Sequence, residues 1–208
     1  MLKGDQSIWD IGADIGTFAL AMAALSKDLT VFVIEADPEL PNLIVKASRF
    51  NQDQRPNIHI LPSTVFRVQR SPSQTSWGCV RAAQTSETQE VPSHKFEVND
   101  KGEVQELTLD QLADIIGTPD FINLSMQGSE LVALQGATTL LTNHKPAIYL
   151  DCTGQSYPEC VELLKNQGYQ IFTYSTSNAS EPDYCALFVH SEDEAHLSRL
   201  ANMRANFC

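Results

Sequence analysis

The chain has 208 residues, 42% of them hydrophobic, a length and composition that fit one α/β domain able to bury a core of its own. Its 14 Lys and Arg against 26 Asp and Glu give a formal charge of −12, which argues against a nucleic-acid partner or an anionic membrane surface, since both need a cationic face. The five cysteines are odd in number and widely spaced, no pair forms Cys-x-x-Cys, and the five histidines complete no zinc spacing, so neither a disulfide framework nor a metal site is expected.

Met1-Leu2-Lys3-Gly4-Asp5 has no signal-peptide character and no apolar run is long enough to span a bilayer, so a reducing, cytoplasmic setting is expected. The chain opens almost at its first strand, which also suits one module of a longer polypeptide. Ser7–Ile11 is a short apolar run ending at Gly12, and Thr17–Leu25 follows as an Ala-rich helical stretch. Thr30–Ile34 is β-branched and aromatic without alternation, the mark of a strand buried on both faces of a parallel sheet. Asp37 and Pro38 suit the start of a helix running to about Phe50, and Asn57–Leu61 reads as a third strand.

From Pro62 to Glu106 Ser, Thr, Gln and Pro dominate, which predicts a polar insertion at about 62–106 within a single domain spanning 1–208. Inside it, Trp77–Ala82 and Lys95–Val98 are candidates for an irregular hairpin, with a mobile excursion as the equal alternative. Leu109, Leu112, Ile115 and Ile116 then repeat at helical spacing up to Gly117, and Asp120–Leu124 is a further buried strand. A helix from about Ser129 to Thr142, a strand at Ala147–Leu150 and a helix at Pro158–Asn166 stopped by Gly168 continue the alternation. Gln170–Tyr174 and Tyr184–Val189, joined by a polar linker, close the chain as an antiparallel pair at one sheet edge. The sum is an α/β fold with a doubly wound, mostly parallel sheet, a C-terminal antiparallel strand pair, and a cleft at the strand carboxyl ends.

Asp10-Ile11-Gly12-Ala13-Asp14-Ile15-Gly16-Thr17 sits where the first strand turns into the first helix. Its glycines permit close backbone approach, and the helix start offers N–H groups to an anionic part of a ligand. The spacing is not the dinucleotide fingerprint: Asp14 stands at the second glycine position, where its carboxylate would meet a pyrophosphate, which disfavours an NAD-dependent oxidoreductase. An amino-acid zwitterion fits better, with its ammonium toward Asp10 or Asp14. Glu35, nineteen residues after Gly16, ends the second strand, where a carboxylate can accept hydrogen bonds from both hydroxyls of a ribose. Alone, such glycines serve packing and such an acid is solvated; on adjacent strands the two point to nucleoside binding.

These residues resemble the FkbM-type S-adenosylmethionine-dependent methyltransferases of the class I Rossmann-like group. The resemblance runs from the glycine loop through Val33-Ile34-Glu35-Ala36-Asp37-Pro38 to Asp120-Phe121-Ile122-Asn123-Leu124-Ser125-Met126-Gln127-Gly128-Ser129-Glu130-Leu131 and Leu134-Gln135-Gly136-Ala137. It implies that Asp10, Gly12, Ala13, Asp14, Gly16 and Thr17 cradle the methionine part of S-adenosylmethionine. Glu35 and Ala36 would take the ribose and adenine side, Ser63 or Thr64 the adenine edge, and Ser125, Met126 and Gln127 would face the methyl group and acceptor. The fourth-strand block of the family usually reads Lys-x-Asp-x-Glu-Gly, whereas Asn123, Ser125 and Gln127 stand at its three charged positions here.

Neutral Ser or Gln cannot take a proton at pH 7 as a carboxylate can. Methyl transfer nonetheless draws much of its rate from proximity and in-line orientation. The catalytic candidates are therefore Ser125, Gln127, Asp151 at the fifth strand end and His94 in the insertion, whose plainer reading is a solvated loop histidine. Cys152 has no cationic neighbour in sequence and is expected to be buried rather than nucleophilic. The expectation is an S-adenosylmethionine-dependent methyltransferase acting on a small-molecule or saccharide hydroxyl. A non-catalytic module that keeps the fold is the alternative.

Overall fold

The β-branched runs become the middle of a sheet. A computed structural model describes residues 6–26, 28–37, 40–50, 57–65, 77–81, 103–152, 156–172 and 185–207. In chain order the elements are β1 (Ser7–Ile11), α1 (Thr17–Leu25), β2 (Thr30–Glu35), α2 (Leu40–Phe50), β3 (Asn57–Val65), β4 (Trp77–Arg81), β5 (Glu103–Leu107), α3 (Leu109–Ile116) and β6 (Phe121–Leu124). They continue with α4 (Glu130–Gln135), a π-helical turn at Leu140–His144, β7 (Ala147–Asp151), α5 (Tyr157–Asn166), β8 (Tyr169–Phe172), β9 (Cys185–His190) and α6 (Glu194–Phe207).

The strands lie in the order β4-β5-β3-β2-β1-β6-β7-β9-β8. From β5 across to β7 neighbours are parallel, while β4 and the β9–β8 pair run antiparallel at the two edges. This is the doubly wound, mostly parallel α/β sheet with its C-terminal antiparallel pair. Because side chains alternate along a strand, the sheet has two apolar faces to cover. Ile8, Val31 and Val33 pack with Ala19 and Ala23 of α1 and Ile44 of α2. Trp9, Ile11, Ile34, Ile122, Leu124 and Ile148 belong to the other core, with Leu109, Leu134 and Leu164 from α3, α4 and α5.

Three elements differ from the sequence reading. The third strand runs on from Leu61 to Val65, and Glu103–Leu107 is a strand, pairing parallel with β3 and antiparallel with β4. Glu103-Val104-Gln105-Glu106-Leu107 carries too few apolar residues to read as a buried run, and its pairing with a strand on each side is what makes it a strand. The hairpin candidate Lys95–Val98 lies outside the described residues. The helix expected over 129–142 is broken after Gln135, because Asp110 at the start of α3 caps its second half: Thr139 N–H donates to Oδ2 at 2.9 Å and Leu140 N–H to Oδ1 at 2.8 Å. Pro38, expected in the first turn of α2, lies outside the described residues, and the helix is described from Leu40 to Phe50.

Candidate functional site

The chain leaves β1 for β2 and β3 on one side and returns through β6 on the other, so the connections diverge above the carboxyl ends of β1 and β6. A crevice forms at such a reversal. It has two lobes. The first, about 420 Å³, lies between Gly12, Glu35 and Ala36 on one wall and Ser125, Met126 and Gln127 on the other. The second, about 260 Å³, lies over Asp10, Ala13, Thr17, Asn123, Tyr149 and Asp151. Gly12, Asp14 and Ser125 line both. No Lys, Arg or His is among the described residues lining either lobe, whereas Asp10, Asp14, Glu35, Asp37 and Asp151 are.

Gly12 makes the junction possible. Its φ is +73°, and a Cβ there would stand 2.0 Å from the Ser125 carbonyl oxygen. Beneath it the ladder stays closed, with Ser125 N–H donating to Ile11 O at 3.0 Å and Gly12 N–H to Ile34 O at 3.0 Å. Glu35 then fastens the two loops above. Its Oε2 accepts from Asp14 N–H at 2.9 Å and its Oε1 from Asp37 N–H at 2.8 Å, which leaves each oxygen a further lone pair toward the first lobe. Held this way, Asp14 sits at φ +51°, a left-handed conformation that Asp tolerates better than most residues.

Asp10, fully buried, works from below. Its Oδ2 accepts from Ala19 N–H at 3.0 Å, which caps α1 where Gly16 has no side chain to do so, and its Oδ1 accepts from Asn123 Nδ2 at 2.8 Å. Burial pushes its carboxyl from 3.8 up to about 6, against the pull of those two hydrogen bonds, and the negative charge of Glu35 pushes the same way as burial. The folded state therefore holds this proton more tightly than the unfolded chain. Stability should fall as pH rises from about 4 through about 6, by at most about 1.4 kcal/mol per pH unit from this group, and level off above. Urea unfolding of wild type and Asp10→Asn between about pH 4.5 and about pH 7 should find that slope reduced in the variant.

The far wall is shaped by Glu130, which the sequence reading quoted but assigned no role. Its buried carboxylate accepts from Met126 N–H at 2.7 Å and Gly128 N–H at 3.0 and 3.1 Å, and the Cys152 thiol donates to it at 3.3 Å. At the end of the second lobe Asp151 Oδ1 accepts from the Cys185 thiol at 3.1 Å. Burial, helped by Cys185 and Asp151, pushes the Tyr149 phenol up to about 12, so it stays protonated and can only donate or be shared.

The description "Methyltransferase FkbM domain" fits residues 10–171. The chain belongs to the FkbM methyltransferase family. An FkbM methyltransferase from Methylobacillus flagellatus KT superposes with a TM-score of 0.61 at 21% identity, over 91% of this chain and 45% of that one. The chain thus spans less than half the length of that protein. Aeropyrum pernix fibrillarin, solved with natively bound S-adenosyl-L-methionine, matches with a TM-score of 0.52 at 12% identity over 90% of this chain and 67% of its own. The ribosomal protein L11 methylase of Lactobacillus delbrueckii subsp. bulgaricus matches with a TM-score of 0.52 at 14% identity over 91% and 70%. At these identities the likeness is one of fold. No curated protein matches the chain in sequence.

In this FkbM domain the crevice brings together Gly12, Asp14, Glu35, Ala36, Ser125 and Gln127 in one lobe, and Asp10, Ala13, Thr17 and Asp151 in the other. Gly16 is buried beneath the loop, donating to Ala13 O at 2.8 Å, and a Cβ there would meet Ile44 at 2.8 Å. Ser63 and Thr64 lie on β3 opposite Gln105 and Glu106, and their side chains are outside the described residues, as is all of His94. Cys152 is buried with its thiol pushed up by burial, as a structural cysteine should be. Sequence reasoning passed over Asn123 as Asp10's partner and Tyr149 as a lining residue. A strand position facing Asp10 was the available signal for both, but it needs the register, Asp10 with Asn123 and Asn123 with Tyr149.

Proposed function

We propose that this domain binds S-adenosylmethionine along the two lobes and transfers its methyl group to a hydroxyl of a small-molecule or saccharide acceptor. The acidic lining carries the reading: five carboxylates and no described cation around the crevice favour a ligand bearing positive charge over a pyrophosphate. When bound, the cofactor supplies a methyl group made electrophilic by its sulfonium. Glu35 would accept the ribose hydroxyls through its remaining lone pairs, with Ala36 beside the base and Gly12 and Asp14 along the methionine part.

The acceptor side falls to the second lobe. Asp10 has both oxygens committed within the protein, and Ser125 and Gln127 are neutral. Asp151 is left as the carboxylate that can take the hydroxyl proton, through the oxygen that Cys185 does not bond, while Tyr149 O–H orients the acceptor.

Calorimetric titration with S-adenosylhomocysteine should give micromolar affinity, and a panel of hydroxylated acceptors should yield methylated product with the wild type but far less with Asp151→Asn. A folded sample that fails to bind would sink the cofactor assignment. Binding without turnover on any acceptor would favour a module that keeps the cleft but not the reaction, a reading that Asn123, Ser125 and Gln127 already support by leaving the β6 end uncharged.

A further inference from the structure

We propose that Glu130 is the positioning residue that sets the shape of the cleft's β6 wall, and through it the affinity for the nucleoside part of the ligand. This rests on the cofactor reading above. The segment from Met126 to Ser129 lies beyond the last ladder bond of β6, made by Ser125 N–H, and before α4, so no ladder or helix satisfies its N–H groups. It is also strained: Gln127 holds φ +52° with a side chain ill suited to it, followed by Gly128 at φ +106°. A loop of this kind would sample many conformations.

Glu130 removes that freedom. From the first turn of α4 its carboxylate reaches back over the loop to collect Met126 N–H and Gly128 N–H, bracketing Gln127 between two bonded neighbours. Hydrogen bonds to a charged acceptor are the stronger kind, and here they are closed off from water, since Glu130 has no exposed surface. The Cys152 thiol, itself 3.2 Å from Ser156 Oγ, braces the other side of the carboxylate from the β7–α5 junction. Met126, Gln127 and Ser129, all lining the first lobe, are thereby fixed opposite Glu35 and Ala36. One buried acid thus does for the far wall what Glu35 does for the near one.

The test compares Glu130→Leu, which fills the space without accepting, with Glu130→Gln, whose amide oxygen can still receive both loop N–H groups. In the ligand-free protein, hydrogen exchange at Met126 and Gly128 should speed up at least a hundredfold in Glu130→Leu while the β1 and β2 amides keep their protection. S-adenosylhomocysteine affinity, measured well below the melting transition, should fall at least tenfold in Glu130→Leu and stay within about threefold of wild type in Glu130→Gln. Unchanged exchange at the two loop amides, or an affinity loss that Gln fails to restore, overturns the proposal. If Glu130→Leu does not fold, the wild type alone decides: both amides must be protected, and exchange at free-chain rates refutes the role. A wild type with protected amides and no affinity for S-adenosylhomocysteine would count against the cofactor reading instead.

Discussion

Gly12→Ala should unfold the junction of the site and abolish cofactor binding. The methyl group would stand 2.0 Å from the Ser125 carbonyl oxygen and 2.9 Å from its carbon, both backbone atoms with no side-chain torsion to relieve them. Either the carboxyl ends of β1 and β6 part, losing the Ser125–Ile11 bond and opening the floor between the lobes, or residue 12 leaves its left-handed conformation and carries Asp14 away from Glu35. The left-handed conformation alone costs a non-glycine residue about 1–2 kcal/mol, and each broken hydrogen bond adds about 1 kcal/mol. A destabilisation of about 3 kcal/mol or more, roughly 10 °C in melting temperature for a chain of this size, is expected. Gly117→Ala is the control: φ is +84° there, with nothing within 4 Å of the added carbon, so only the backbone strain remains. Thermal melts that put the two variants level would refute the close approach at Gly12.

Glu35→Ala should weaken S-adenosylhomocysteine binding by at least about 150-fold while leaving the protein folded. A hydrogen bond to a charged acceptor contributes about 1.5–3 kcal/mol, and two ribose hydroxyls lose theirs at once. Part of the loss comes from the protein, because Asp14 N–H and Asp37 N–H are released together and the two loops over the first lobe come apart. A cycle with a ligand lacking both ribose hydroxyls separates the contributions. Wild type should bind that analogue much more weakly than the parent, whereas Glu35→Ala should barely distinguish them. Equal discrimination by both proteins would move the ribose away from Glu35.

The two variants act on the same wall from opposite directions. Gly12 permits backbone contact by having no side chain, and Glu35 enforces loop contact by having a charged one. Across the crevice the roles are redistributed. Where the family's fourth-strand block usually carries three charges, Asn123 serves Asp10 as a neutral donor, Ser125 joins the floor, and Gln127 is held in a strained turn. The ordering carboxylate on that side is Glu130, three residues beyond Gln127. The β6 end of the crevice carries neutral side chains at these three positions, so the proposed cofactor binding and the proposed turnover are tested as separate outcomes.

What the sequence determined by itself is local. The uninterrupted Thr30-Val31-Phe32-Val33-Ile34 run requires burial on both faces and so a place inside a parallel sheet. Glycine at 12 and 16 marks the turn out of the first strand. Family resemblance then implied that Glu35 and the β6 end serve one ligand. Only the tertiary structure decided what these groups do to one another. Asp10 and Asn123 are 113 residues apart and meet through the β1–β6 register, Asp110 reaches 30 residues along the chain to interrupt a helix, and Glu103–Leu107 becomes a strand because β3 and β4 flank it. The physical reason is the same in each case. Hydrophobic period and turn propensity are properties of neighbours in sequence, whereas the satisfaction of a buried polar group, and the shift in acidity that burial brings to Asp10, depend on whatever the fold sets within 3 Å of it.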